Sequence, residues 1–236
     1  MKSATKAIAD LTSNASLPNG MTLISGSSGC GKTIFCQQYA YELLQDGGKV
    51  LWITTEELPA TLRAGMKSFG WNTDRQESEG RLSIIDAVSP SRLGSSENVG
   101  LGMLGLDPTG MLIVISEQLK KAQSEGDSEK HLLVVDSVSR LLLSCEPRAV
   151  LDFVSCLNSR MENYNTRGFA TVSEGAHDEK ILNSLVFSTR GNIRFRIKET
   201  EDFRSRQFRI ENLKGRKHED SWKNYAITNS GLDIEV

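Results

Sequence analysis

The chain has 236 residues, of which 38% are hydrophobic and 25% charged. That is the composition of an ordinary globular protein, long enough to bury one sizeable core. Lys plus Arg is 28 against 30 for Asp plus Glu, a formal net charge of -2, so no global attraction to nucleic acid or an acidic membrane is expected. Cys30, Cys36, Cys145 and Cys156 form no C-x-x-C pair, and His131, His177 and His218 are scattered, which argues against a zinc site. No apolar run approaches the roughly 20 residues of a membrane span, and Met1 to Asn19 lacks a signal-peptide core. A cytoplasmic chain with free thiols is the expectation.

Residues 1–17 read as a polar segment with one short amphipathic stretch, Ala7 to Leu11, and Pro18-Asn19-Gly20 reads as a turn. Met21 to Ser25 is expected as a short buried strand. Lys32 to Gln45 is expected as a helix with Phe35, Tyr39 and Leu43 on one face, stopped by Gly47-Gly48. Val50 to Thr54 makes a second buried strand. A helix then starts near Pro59, runs to about Phe69 and ends at Gly70. Leu82 to Ile85 is a third strand. Ser89 to Gly110 holds Gly94, Gly100, Gly102, Gly105 and Gly110, the pattern of a long mobile loop. Met111 to Gln123 is helical, His131 to Val135 is a strand ending at Asp136, Pro147 to Tyr164 is helical, and Phe169 to Val172 is a fifth strand.

This alternation implies parallel strands joined by crossover helices. Beyond Asn192 the period becomes two. Ile193, Phe195 and Ile197 alternate with Arg194, Arg196 and Lys198, and Phe208 and Ile210 alternate with Arg209 and Glu211. An antiparallel hairpin turning near Asp202 is expected, then one last strand through Tyr225, Ile227 and Leu232 to Val236. With no repeat and no linker, residues 1–236 read as a single α/β domain whose segment 190–236 extends the sheet in antiparallel fashion.

Gly26-Ser27-Ser28-Gly29-Cys30-Gly31-Lys32-Thr33 fits the phosphate-loop pattern G-x-x-x-x-G-K-[ST] without a gap, between a predicted strand and a predicted helix. Its glycines let several N–H groups point at one anion, and the helix adds its positive dipole end. Lys32 can reach the β- and γ-phosphates of ATP, and the Thr33 hydroxyl is suited to ligate Mg2+. Cys30 inside the loop reads as a small residue valued for its backbone; a redox-sensitive thiol is the alternative.

Hydrolysis needs more than a phosphate loop. Leu132 to Asp136 is an apolar run ending in an acid, and ligands collect at the carboxyl ends of parallel strands, so Asp136 is the candidate for the magnesium shell. The second strand runs into Glu56-Glu57, then Leu58-Pro59. These acids suit a general base that activates water, but they equally suit the dipole at the start of the next helix, and position alone leaves both open.

Together these residues resemble the RecA-type ATPases of the KaiC family. The resemblance rests on the phosphate loop, Thr54-Thr55-Glu56-Glu57-Leu58-Pro59, Met66 to Trp71, Val134-Val135-Asp136-Ser137-Val138, and Leu213 to His218 followed by Ile227 to Gly231. It implies a RecA-like fold and a homo-oligomeric ring, usually of six subunits, with ATP between neighbours. It implies that Glu56 and Glu57 match paired catalytic glutamates. It also implies that Lys214 and His218 reach the next subunit's nucleotide, although Asn212 stands where the family often has lysine. KaiC carries two such domains in tandem and this chain has one, so clock-type autophosphorylation is not carried over. The expected activity is a slow magnesium-dependent ATPase acting as a nucleotide-controlled switch. The alternatives are a non-hydrolysing scaffold, similar to the accessory protein of the archaeal motility motor, and a recombination accessory protein that binds DNA.

Against the DNA reading, the ten basic residues between Arg190 and Lys217 have little aromatic interleaving. The loops expected after the fourth and fifth strands are Ser137 to Glu146 and Ser173 to Lys180, and the second carries Glu174, Asp178 and Glu179, which repel a phosphate backbone.

Overall fold

The computed structural model describes residues 2–89, 106–124, 130–200 and 203–235. The strands are β1 (Gly20–Gly26), β2 (Lys49–Thr54), β3 (Leu82–Asp86), β4 (His131–Asp136), β5 (Arg167–Ser173), β6 (Gly191–Thr200), β7 (Phe203–Leu213), β8 (Lys223–Thr228) and β9 (Gly231–Ile234). The helices are α1 (Ala4–Leu11), α2 (Lys32–Gln45), α3 (Pro59–Ser68), α4 (Asp74–Ser78), α5 (Pro108–Ser124), α6 (Val138–Ser144), α7 (Pro147–Asn163) and α8 (Glu179–Ser188). All nine strands form one sheet in the order β3-β2-β4-β5-β1-β6-β7-β8-β9. The pairings from β3 through β6 are parallel, and those from β6 through β9 are antiparallel.

The parallel strands are apolar on both sides because helices cover both faces. Every residue of β1 and β4 is buried. One face packs on α1 and α2 through Phe35, Tyr39, Trp52 and Phe169. The other packs under α5 to α8 through Leu23, Ile115, Val154 and Leu185. In the extension, Ile193 faces Ile210 and Phe195 faces Phe208, which continues the α2-side core. Phe35 sits at its centre, 5.3 Å from the Phe195 ring and 5.7 Å from Phe169.

The structure departs from the sequence expectations at several points. Residues 1–17 are not merely polar: α1 buries Ala4, Ala7, Ile8 and Leu11, and Thr5 N donates to Glu42 Oε2 of α2 at 2.9 Å. The expected final strand is two, β8 and β9, folded back with Thr228 opposite Gly231, whose φ of 115° suits the reversal. Gly110 lies in the first turn of α5 rather than in a loop, and residues 90–105 of the glycine-rich stretch lie outside the described residues, as does the turn at Asp202. Ser137 to Glu146, expected as a loop, is largely α6, with Val138, Leu141 and Leu142 turned into the core at helical spacing. Helices α4 and α8 are further elements beyond the sequence expectations.

Phe35→Ala should cost about 3–5 kcal/mol in equilibrium denaturation, because four other aromatic rings, those of Tyr39, Phe169, Phe195 and Phe208, pack around that side chain. A cost under about 1 kcal/mol would mean that this cluster does not hold the extension to α2.

Candidate functional site

The candidate site forms where β1 runs out into α2. Gly26 has φ 150° and Gly31 has φ 96°, and a Cβ on Gly26 would collide with the Phe195 backbone of β6. Gly31 caps α2 from the left-handed region, so the first amides of that helix open toward the loop. Lys32 Nζ donates to Gly26 O at 2.9 Å and to Ser27 O at 3.0 Å. Both carbonyls belong to the loop itself, so the ammonium is held at its base.

Asp136, at the end of β4, is buried beside the loop. Its Oδ1 accepts from Thr33 Oγ1 at 3.3 Å and from Thr171 Oγ1 of β5 at 2.5 Å. Burial pushes its carboxyl above the ordinary aspartate range; the two threonine hydrogen bonds oppose that shift, and the charge of Glu56 adds to it. Thr55 N donates to Asp136 O at 2.8 Å, while Ser137 N donates to Thr55 Oγ1 at 2.6 Å, which fixes the end of β2 against the end of β4. The Asp136–Ser137 peptide is cis. Ser137 Oγ donates to Glu56 Oε1.

These residues line a cavity of about 240 Å3 with Ser28, Gly29, Gly31, Lys32, Thr33, Glu56, Asp136, Thr171 and Ser173 in its wall. Glu57 stands outside that wall and is half-buried. Burial raises its carboxyl above the usual glutamate range, and Asp136 and Glu56 add to the effect. Cys30 is buried, and burial lifts its thiol despite nearby Lys32, which fits a backbone role rather than a reactive thiol.

The fit to a magnesium ion rests on the donor set. A hydroxyl and a carboxylate 3.3 Å apart are hard oxygen donors, and Asp136 is a buried acid whose ionised form a divalent cation favours. Thr33 and Asp136 are the residues that would hold it.

A family model described as "ATPase: KaiC" matches residues 2–236. The chain belongs to the KaiC family. It is 28% identical over 216 residues to a UPF0273 protein of Thermotoga maritima, covering 91% of this chain and 86% of that one. It is 27% identical over 237 residues to the circadian clock oscillator protein KaiC of Parathermosynechococcus lividus, covering 94% of this chain but only 40% of that longer protein. A KaiC-like protein from the hyperthermophilic archaeon Pyrococcus horikoshii OT3 shares the fold, with a TM-score of 0.78 at 23% identity over 97% of this chain and 95% of that one. This KaiC-family chain is thus a RecA-superfamily α/β protein, as its motifs suggested.

The structure brings Gly26 to Thr33, Glu56 and Asp136 together. It does not bring Lys214 and His218 to the same loop. Leu213 pairs with Gly191, which pairs with Thr22, four residues before Gly26. At a rise of about 3.3 Å per residue, Leu213 stands roughly 13 Å and Lys214 roughly 16 Å back along the strands from Gly26. There Lys214 Nζ donates to Phe187 O at 2.5 Å, and His218 Nδ1 lies 3.2 Å from Arg216 O.

Three further contributors are not among the expected site residues, although Ile227 belongs to a stretch that carries the family resemblance. Thr171 holds Asp136 and is visible only once β5 is beside β4. Tyr225 donates its hydroxyl to Cys30 O, and burial raises the tyrosine pKa. Ile227 packs 3.2 Å from where a Gly31 Cβ would stand. Both come from β8, far along the chain.

The basic segment also differs from expectation. An aromatic residue does interleave with it: the Arg196 guanidinium lies 3.7 Å from the Trp222 ring centre and that of Arg209 4.7 Å. Those guanidinium groups cover Trp222, so it does not offer a free stacking platform. Glu174, expected to repel nucleic acid, is paired with Arg194 at 2.8 Å, and Asp178 accepts from Lys180 N at the start of α8.

The raised pKa of Asp136 has a consequence for stability. A folded-state pKa above the unfolded one means a contribution present below the unfolded value and lost as pH rises through the folded value. At neutral pH the buried charge is therefore a net cost. Asp136→Asn keeps an acceptor for Thr33 and Thr171 and should stabilise the nucleotide-free chain by about 1 kcal/mol in urea unfolding at neutral pH. Destabilisation would mean that the ionised carboxylate is favoured there.

Proposed function

We propose that this KaiC-family chain is a slow magnesium-dependent ATPase that assembles into a homo-oligomeric ring and acts as a nucleotide-controlled switch. The observation that carries the reading is the meeting of Thr33 Oγ1 and Asp136 Oδ1 at 3.3 Å inside the phosphate-loop cavity, with Glu56 in the same wall. Magnesium bound there would neutralise charge on the phosphate oxygens. The loop amides and Lys32 orient the triphosphate. Glu56, held by Ser137 in the cavity wall, and the adjacent Glu57 together polarise an attacking water.

Charge balance supports closure by a neighbour. Lys32 is the one cation among the described residues lining the cavity, against Glu56 and Asp136. A triphosphate needs more positive charge than that. Lys214 lies at the opposite end of the strands, and neither it nor His218 lines the cavity of its own chain, so both are free to serve the next copy's nucleotide. This arrangement supports a heterologous, ring-forming contact.

Phosphate release should fall about a hundredfold or more in a Glu56→Gln, Glu57→Gln double variant with Mg·ATP. Equal release from variant and wild type would remove both acids from the mechanism. The acid limb of the wild-type pH profile should lie above 4.5, the ordinary value for a glutamate, because Glu57 must lose its proton to act. Lys32→Ala should weaken ATP binding and ring assembly together, read as particle mass with and without Mg·ATP. Normal rings without nucleotide would break that coupling.

One observation favours a second reading. The Glu56 carboxylate is engaged by Ser137 Oγ, which suits a brace as well as a base. Tight ATP retention with no phosphate release would make the chain a nucleotide-gated scaffold.

A further inference from the structure

A second cavity, of about 390 Å3, lies on the face of the sheet away from α2, under α8. Leu23, Val172, Leu182 and Val186 give it an apolar body. Polar wall residues include Ser25, Asn192 and His177, and the first two are only 4% and 2% exposed. Ser25 Oγ, Asn192 Oδ1 and His177 Nε2 are shielded from solvent and have no hydrogen-bond partner among the described residues. Buried polar atoms left unpaired are rare because they are costly. Asn192 Nδ2 is committed to Glu211 Oε2 at 2.7 Å, so what Asn192 has left is an acceptor. Glu174, Glu179 and Glu211 border the same space; Arg194 opposes the first and, with Arg209 at 2.6 Å, the last, so the excess acid is the exposed Glu179. Open acceptors and an excess of acid select a ligand that brings N–H donors and positive charge.

This cavity is wired to the phosphate loop. Ser25 immediately precedes Gly26. Glu174 N donates to Gly26 O at 3.0 Å, and that carbonyl also accepts from Lys32 Nζ at 2.9 Å. The Glu174 carboxylate is clasped by Arg194 Nε at 2.8 Å, and Arg194 reaches on to Glu211 at 3.4 Å. A ligand that draws on the Glu174 carboxylate or on Arg194 would therefore pull on the residue whose amide holds the carbonyl on which Lys32 rests.

We propose that this cavity is a second ligand site, for a small organic cation of the amine or amidine class with an apolar body, and that its occupancy is coupled to nucleotide binding through Glu174 and Gly26. The site stands without the ATPase reading; the coupling rests on the nucleotide-binding part of it.

Benzamidine titrated calorimetrically into the full chain tests the site. A Kd on the order of 1 mM is expected for a ligand of that size. Ser25→Ala and Asn192→Ala should each weaken it about threefold to tenfold, with thermal melting as the check on folding. His177→Ala, at the half-exposed rim, serves the same purpose if a core variant does not fold. Absence of saturable heat with wild type means that water alone suits the cavity and overturns the proposal. Binding that all folded variants leave unchanged also overturns it, because the ligand then sits elsewhere. For the coupling, saturating benzamidine should change the Kd for Mg·ATP by the same factor by which Mg·ATP changes that for benzamidine. No change ends the coupling. Lys32→Ala should lose ATP and keep benzamidine. If wild type binds benzamidine but not ATP, the nucleotide reading fails and the site remains.

Discussion

A buried acid at the end of β4 is the constraint around which this molecule is arranged. Asp136 is removed from water, and its charge is disfavoured there. It persists because hydroxyls from two different elements point at one of its oxygens: Thr33 from the start of α2 and Thr171 from β5. Its own carbonyl takes the amide that follows β2. Three strand ends and one helix start are thereby brought to a single carboxylate. The arrangement sacrifices stability at that point, which is a common signature of a site shaped for a ligand rather than for the fold.

The antiparallel extension serves the same centre from the other side. Phe195 and Phe208 lock β6 and β7 onto Phe35 of α2, so the extension and the phosphate-loop helix share one aromatic cluster. β8 then returns to the loop itself, with Tyr225 on the Cys30 carbonyl and Ile227 against Gly31. The chain that shapes the loop from behind also carries Lys214 at the far end of β7. The stretch from β7 to β8 thus braces the loop with Tyr225 and Ile227 while Lys214 turns to the Phe187 carbonyl instead.

Much of the fold was legible because its elements are strongly patterned. β1, β2 and β4 are short, mostly apolar and buried runs, and α2 and α7 are long enough for their period to show. What escaped was short or weakly signalled. α1 has only eight residues, and its stability comes from docking Ala4, Ala7, Ile8 and Leu11, not from local propensity. α6 reads as a loop if one expects a loop after a strand, yet Val138, Leu141 and Leu142 carry the helical spacing. β8 and β9 merged into one expected strand because the turn at Asn229-Ser230 was read through rather than as a reversal.

By itself the sequence determined the phosphate loop, the acid at the end of β4, the glutamate pair after β2 and the family to which the chain belongs. These are local facts: backbone freedom at glycine, a charge at a fixed place, and an apolar run of given length. Only the tertiary structure decided that Thr171 and Tyr225 support the site, that Glu56 is engaged by Ser137 while Glu57 is not in the cavity wall, and that Lys214 sits away from its own loop. The reason is physical. Those relations depend on which strands lie side by side and on their register, and the energy that sets them comes from packing between residues far apart in the chain.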